Sequence, residues 1–182
     1  MTAAGLILAA GAGRRYGMPK ALVRHQGRLL VQRAHQVLAE AGCPTITVVL
    51  GAAADEVRAA APDLPETVVN PDWATGMGSS LRAGLAHLAT TGATAALVLL
   101  VDMPGVTAEA VRRILAGAAP DALVMGGYGD RRGHPVLLGR DHWAGVAAVA
   151  TGDRGARDYL RANPVRIVPV GDVADDSDID VP

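Results

Sequence analysis

Phenylalanine is absent from the 182 residues, and aromatic residues together make up 3%. The interior must therefore be built from Leu, Val, Ile and Ala. The 22 glycines and the heavy use of Ala imply tight turns and close packing of small residues. A single cysteine, Cys43, excludes a disulfide within the chain and fits a reducing compartment. It follows Gly42 at an expected helix end and reads as a small packed residue rather than a nucleophile. The longest apolar stretch, residues 95–101, falls far short of the ~20 residues a membrane span needs. No basic segment precedes the short apolar run at the start, so no signal peptide is expected. A net charge of −1 leaves no broad nucleic-acid footprint. Half the residues are hydrophobic and 19% are charged, which describes a globular chain. The expectation is one cytoplasmic domain over residues 1–182, a monomer with no membrane or nucleic-acid partner.

What is present is concentrated in one loop. An apolar run over residues 5–10 arrives like a buried strand. It gives way to Gly11, Gly13 and Gly17 interleaved with Arg14, Arg15 and Lys20. Glycines let the backbone bend tightly and approach a ligand closely. Unpaired N–H groups in such a loop form a concave anion site. Three cations around it point to a polyphosphate. The spacing departs from a P-loop, because no Ser or Thr follows Lys20. It also departs from a dinucleotide fingerprint, which would want Gly where Tyr16 stands. The pattern L-A-A-G-x-G-x-R-x-G-x-x-K resembles the signature loop of nucleotidyltransferases with a Rossmann-like, glycosyltransferase-A-type domain. On that reading Leu8, Ala9, Ala10, Gly11, Ala12 and Gly13 bind nucleotide.

Further along, residues 30–41 carry apolar positions at helical spacing, and 45–50 and 66–70 read as strands. Residues 95–101 form an unbroken apolar run, the mark of a central parallel strand buried on both faces. Residues 122–125 and 135–138 flank a Gly-rich polar turn and suggest a hairpin, the one antiparallel feature expected. Residues 165–170 make the last strand. Alternating strands and helices predict an α/β fold, a three-layer, mostly parallel sheet with helices on both faces. Ligands then bind beyond the carboxyl ends of the strands.

Asp102 ends the most hydrophobic strand, where a carboxylate is costly without a partner. A Mg²⁺ shared with substrate phosphates would supply one. The plainer alternative is an Asp stabilising the helix that Thr107 opens. In Asp178-Ile179-Asp180, alternation places both carboxylates on one side of an extended chain. A solvated acidic tail is the alternative there. Gly76, Ser79 and Ser80 offer close backbone approach and hydroxyls at a helix start, with Ser79 as the candidate N-cap. Arg131, Arg132 and His134 sit on the Gly-rich turn and suit an anionic acceptor. His25, His35, His87 and His142 have no partners at zinc spacing.

Six segments recur in order: LAAGAGRRYGMPK, NPDWATGMGSSL, LLVDMPG, RRGHPVLL, GDRGARDYL and DIDVP. Together they resemble the molybdenum cofactor cytidylyltransferases, the branch of the molybdopterin nucleotidyltransferases that serves xanthine-dehydrogenase-type enzymes. The resemblance implies transfer of CMP from CTP to the terminal phosphate of molybdenum-loaded molybdopterin, with release of pyrophosphate. It implies Mg²⁺ between Asp102 and Asp180, and catalytic roles for Arg15, Lys20 and Asp102. It places Arg131, Arg132 and His134 on the pterin side. Ala9-Ala10-Gly11 matches the cytidylyl branch, whereas the guanylyl branch has Ala-Gly-Gly. Two departures stand out. Val181 replaces the usual Thr before Pro182, and Gly13 stands where Ser is frequent, a change expected to be harmless. The alternatives are a guanylyl or sugar-phosphate nucleotidyltransferase of the same fold, or a non-catalytic cofactor carrier.

Overall fold

The computed structural model describes residues 2–182. The chain opens with β1 (Ala3–Leu8). After the Gly-rich loop it makes a small ribbon from β2 (Arg24–His25) and β3 (Arg28–Leu29). There follow α1 (Leu30–Glu40), β4 (Ile46–Leu50), α2 (Ala54–Ala60), β5 (Glu66–Val69) and α3 (Met77–Ala89). Next come β6 (Ala95–Leu100), α4 (Ala108–Leu115), β7 (Leu123–Tyr128) and β8 (Arg131–Gly139). The last elements are α5 (Trp143–Val149), α6 (Arg157–Ala162) and β9 (Arg166–Pro169).

Seven strands form one sheet in the order β5-β4-β1-β6-β8-β7-β9. Every neighbouring pair is parallel except those of β8, which runs antiparallel to β6 and β7. The α/β expectation and the hairpin are both observed. The β2–β3 ribbon is a second antiparallel feature, which corrects the expectation of one. Two-residue strands are too short for any alternation to be read from sequence.

β6 explains its own sequence. It is paired on both sides, and alternate residues go to opposite layers. Leu97 and Leu99 pack with residues of α1, α2 and α4, while Ala96 and Val98 pack with residues of α3, α5 and α6. Both faces are dry, so no polar position interrupts the run. Leu97 is fully buried, and Leu97→Ala should cost roughly 2–5 kcal/mol. Among the described residues, no helix is long and apolar enough to cross a membrane.

Two local readings change. α3 begins at Met77 with Gly76 as N-cap, so Ser79 is not the cap. Its hydroxyl instead donates to the carbonyls of Asp72 and Gly76 and accepts from Asn70 Nδ2. Thr107 does cap α4, accepting from the N–H of Ala110 at 3.2 Å. Residues 170–182 form no helix or strand, yet they are not a solvated tail. Thr107 donates to Val173 O, and backbone bonds link Asp175 to Gly105 and Ile179 to Asp102.

Candidate functional site

β1 and β6 are adjacent parallel strands, so the loops after them share one rim. The loop after β1 curls through Gly13, which sits at φ 61°. A Cβ at Gly13 would run into the Met18 carbonyl, so this chain needs glycine there and the departure from Ser is accommodated. Among the described residues, the N–H groups of Gly11, Ala12 and Gly13 meet no acceptor. Unpaired amides of this kind are available to an anion.

Lys20 reaches back from the end of that loop. Its Nζ lies 2.8 Å from Asp102 Oδ2 and 3.3 Å from Asp180 Oδ1. Arg15 Nη1 holds the other oxygen of Asp180 at 2.8 Å. Residues 160 positions apart are thus gathered around one ammonium. The bond from Ile179 N–H to Asp102 O fixes the tail beside β6. Burial pulls the Lys20 pKa down most strongly. The hydrogen bonds and charges of Asp102 and Asp180 together outweigh it, so the ammonium is held above its usual value. The hydrogen bond from Arg15, then that from Lys20, keeps the Asp180 carboxyl below the usual carboxylate range. Arg15, Lys20 and Asp180 are therefore charged at neutral pH.

These residues line a cavity of about 550 Å³. Its wall includes Leu8, Ala9, Ala10, Gly11, Ala12 and Gly13, with Trp73, Gly76 and Ser80 opposite. Gly76 has φ 114°, and a Cβ there would strike the carbonyl of Gly152, so the turn before α3 lies flat against the turn before α6. Ser79 does not reach this cavity. Its hydroxyl is turned to the carbonyls of Asp72 and Gly76, and Asn70, whose Oδ1 accepts from Asp72 N–H, donates through its amide to both Ser79 and Ser80. Ser79 is a buried support, and Ser80 is the residue on the wall.

A second cavity of about 460 Å³ opens beside the first, sharing Leu8, Met77, Leu100 and Asp178. Its floor is apolar, with Met77, Leu81, Met103 and Met125 among its residues. Arg131, Arg132 and His134 all line it. His134 is not on a flexible turn, however. It lies within β8, half-buried, because the strand starts at Arg131. Burial pushes its pKa down to about 4, against the opposing charges of Asp176 and Asp102, so it is neutral at pH 7. Arg131 is committed to Asp176 through two bonds of 2.7 and 3.0 Å. Sequence reasoning passed over Arg154, Arg157 and Arg161, which also line this cavity. The Gly152–Arg157 segment looked like an ordinary polar turn, and only the packing of α6 brings Arg157 and Arg161 to the edge of this cavity while they stay exposed.

Two carboxylates facing one cation suit a magnesium ion, which takes one or two carboxylates together with phosphate oxygens. Among the described residues, no cluster of three or more His, Cys, Asp or Glu side chains could hold a metal by itself. Cys43 is buried with its thiol pushed up to about 11, which agrees with a packing role.

Residues 5–167 match the family described as the MobA-like NTP transferase domain. This chain belongs to that family. The nicotine blue oxidoreductase of Paenarthrobacter nicotinovorans is 40% identical over 97% of this chain and 91% of its own. The molybdenum cofactor guanylyltransferase of Rhodobacter capsulatus is 36% identical over 83% of this chain and 71% of its own. Among solved structures, Rv0371c from Mycobacterium tuberculosis in complex with manganese is 31% identical. It covers 98% of this chain and 94% of its own, with a TM-score of 0.82. The MobA-like domain described here is thus an enzyme of the nucleotidyltransferase class. Its cation-lined loop and strand-end carboxylates lie where that class of fold binds ligands.

Proposed function

We propose that this MobA-like domain transfers CMP from CTP to the terminal phosphate of a molybdopterin-type molybdenum cofactor, releasing pyrophosphate. The observation that carries this reading is Lys20 bridging Asp102 and Asp180 beneath a loop of unpaired amides. The resemblance of Ala9-Ala10-Gly11 to the cytidylyl branch supports CTP. The 36% identical relative is named a guanylyltransferase, so GTP is the competing donor.

The acceptor is a phosphate monoester with a second pKa near ~6, largely dianionic at neutral pH. It needs no general base, in keeping with a neutral His134. One acceptor oxygen bonds to the α-phosphorus of CTP, the bond from that phosphorus to the bridging oxygen breaks, and pyrophosphate leaves. The protein's task is to align two polyanions and disperse their charge. Mg²⁺ held by Asp102 and Asp180 would supply charge neutralisation when bound. Arg15 and Lys20 draw the triphosphate, and the amides of Gly11, Ala12 and Gly13 cradle it. Ser80 and Trp73 border the nucleoside. On the acceptor side, Arg132, Arg157 and Arg161 have no ion-pair partner among the described residues, and they ring an apolar floor. That combination suits a flat ring system ending in phosphate.

A second reading comes from the 40% identical relative named an oxidoreductase. It predicts a reaction that leaves the triphosphate intact. The deciding assay is pyrophosphate release with Mg²⁺ and molybdenum-loaded molybdopterin, comparing CTP with GTP. Release with CTP supports the proposal, and release with GTP alone transfers it to the guanylyl branch. Release with neither, together with reduction of an oxidised substrate by an added chemical reductant that depends on the protein, favours the oxidoreductase reading.

A further inference from the structure

Among the described residues Asp176 is the one buried acidic side chain; it lines the second cavity, and the proposed reaction gives it no role. Burying a carboxylate is costly unless it is paired. Its partner is Arg131, gripped through both oxygens at 2.7 and 3.0 Å. Asp176 sits four residues before Asp180, on a segment with no helix or strand to stiffen it. That segment crosses between the two cavities, with Asp178 on the wall of both. It is held at intervals. Arg113 grips Asp172 at 2.7 and 3.0 Å, Asp175 N–H donates to Gly105 O, and Ile179 N–H donates to Asp102 O. Between Asp175 and Ile179, the Arg131–Asp176 clasp is the one attachment of the strap to the body of the fold among the described residues.

We infer that Asp176 is a positioning residue: its clasp on Arg131 sets the reach of the strap and so presents Asp180 to Lys20, Arg15 and a divalent cation. The inference rests on the metal reading above. Without the clasp, Asp180 is still charged and still tethered through Ile179, but the strap before it is slack, and its carboxylate is held less firmly for a metal. Residues that orient metal ligands typically change metal affinity by about 10–100-fold when removed. The clasp also joins the two halves of the site, because Arg131 stands in the acceptor cavity.

The test is calorimetric titration of Mn²⁺ into the full chain saturated with CTP, with no acceptor present. Asp180→Asn should weaken Mn²⁺ binding strongly, and Asp176→Asn should weaken it by about tenfold. The double variant should bind no more weakly than Asp180→Asn alone, since Asp176 acts through Asp180. Gly133→Ala gives an independent route, because a Cβ there would overlap Asp176 Oδ2 while every charge is kept. It should behave like Asp176→Asn, and Arg131→Lys should retain part of the affinity. Additive losses in the double variant, or wild-type Mn²⁺ affinity in Asp176→Asn and Gly133→Ala, would overturn the inference and leave the metal reading intact. Unchanged affinity in Asp180→Asn would overturn the metal reading and the inference with it.

Discussion

Replacing Lys20 with Met separates the two roles of this side chain. The Lys20 and Asp102 side chains are 16% and 17% exposed, so their pair is largely shielded from water. Removing one partner of a fully buried pair costs roughly 3–5 kcal/mol. Here water reaches the edge of the site, and Asp180 keeps Arg15, so about 1–2 kcal/mol is the expected loss. For a domain of this size that lowers Tm by about 2–8 °C. The loss should be recovered by Mg²⁺. In the wild type an added cation must compete with the ammonium for Asp102 and Asp180, whereas in Lys20→Met both carboxylates are open to it. Scanning calorimetry with and without excess MgCl₂ reads this directly: Mg²⁺ should raise Tm more in the variant than in the wild type. Turnover should nevertheless fall by about 10²–10³, because one charge aimed at the triphosphate is gone. An unchanged Tm together with an equal response to Mg²⁺ would refute the idea that the ammonium and a metal share these carboxylates.

Three further outcomes follow from the same geometry. Arg15→Ala should leave Tm close to that of the wild type, since the side chain is 79% exposed, yet lower pyrophosphate release by about 10²–10³; full activity would remove Arg15 from the mechanism. Ala10→Gly should raise GTP use relative to CTP, measured as a ratio of kcat/KM values, and an unmoved ratio would sever base choice from this loop. His134 should give a pH dependence of stability. Its folded pKa of about 4 lies below the unfolded value of 6.5, so the unfolded chain takes up the proton first as pH falls. Stability is then lost as pH falls from about 6.5 to about 4, by about 2 kcal/mol because water reaches part of the ring. Denaturant titrations of His134→Gln should show a flatter profile over that window, and an identical profile would refute the assignment.

The fold was legible where periodicity was strong. The unbroken run of β6 announced a strand buried on both faces, and the flanking glycines announced the β7–β8 hairpin. The β2–β3 ribbon was illegible because two residues carry no period. The anion loop was legible from glycines and cations in one stretch, and Lys20 and Asp102 do meet. Ser79 misled because serine before an apolar periodic run resembles an N-cap, whereas the N-cap lies three residues earlier at Gly76 and the hydroxyl accepts from Asn70. Arg131 misled in a different way. Its charge was visible, but its consumption by Asp176, 45 residues away, was not. Arg157 and Arg161 were missed because an arginine on a short helix is ordinarily solvated, and only the tertiary placement of α6 gives it a cavity to line.

Relatives named for transfer and for redox chemistry share this architecture. The choice rests on charge. Moving a nucleotidyl group brings two polyanions into contact, so a site built for it must concentrate cations on both sides of the reacting phosphorus and present carboxylates able to share a metal. In this chain cations line both cavities, with Arg15 and Lys20 on one side and Arg132, Arg157 and Arg161 on the other. Redox chemistry on an uncharged substrate imposes no such demand on the second cavity, where the apolar floor alone would suffice. The second-cavity arginines are therefore the residues on which the two readings diverge. Arg157→Met and Arg161→Met should raise the acceptor KM for pyrophosphate release while leaving CTP binding unchanged. If both variants kept wild-type acceptor KM, a phosphate-bearing acceptor in this cavity would be the wrong assignment, and the apolar floor would become the better guide to the substrate.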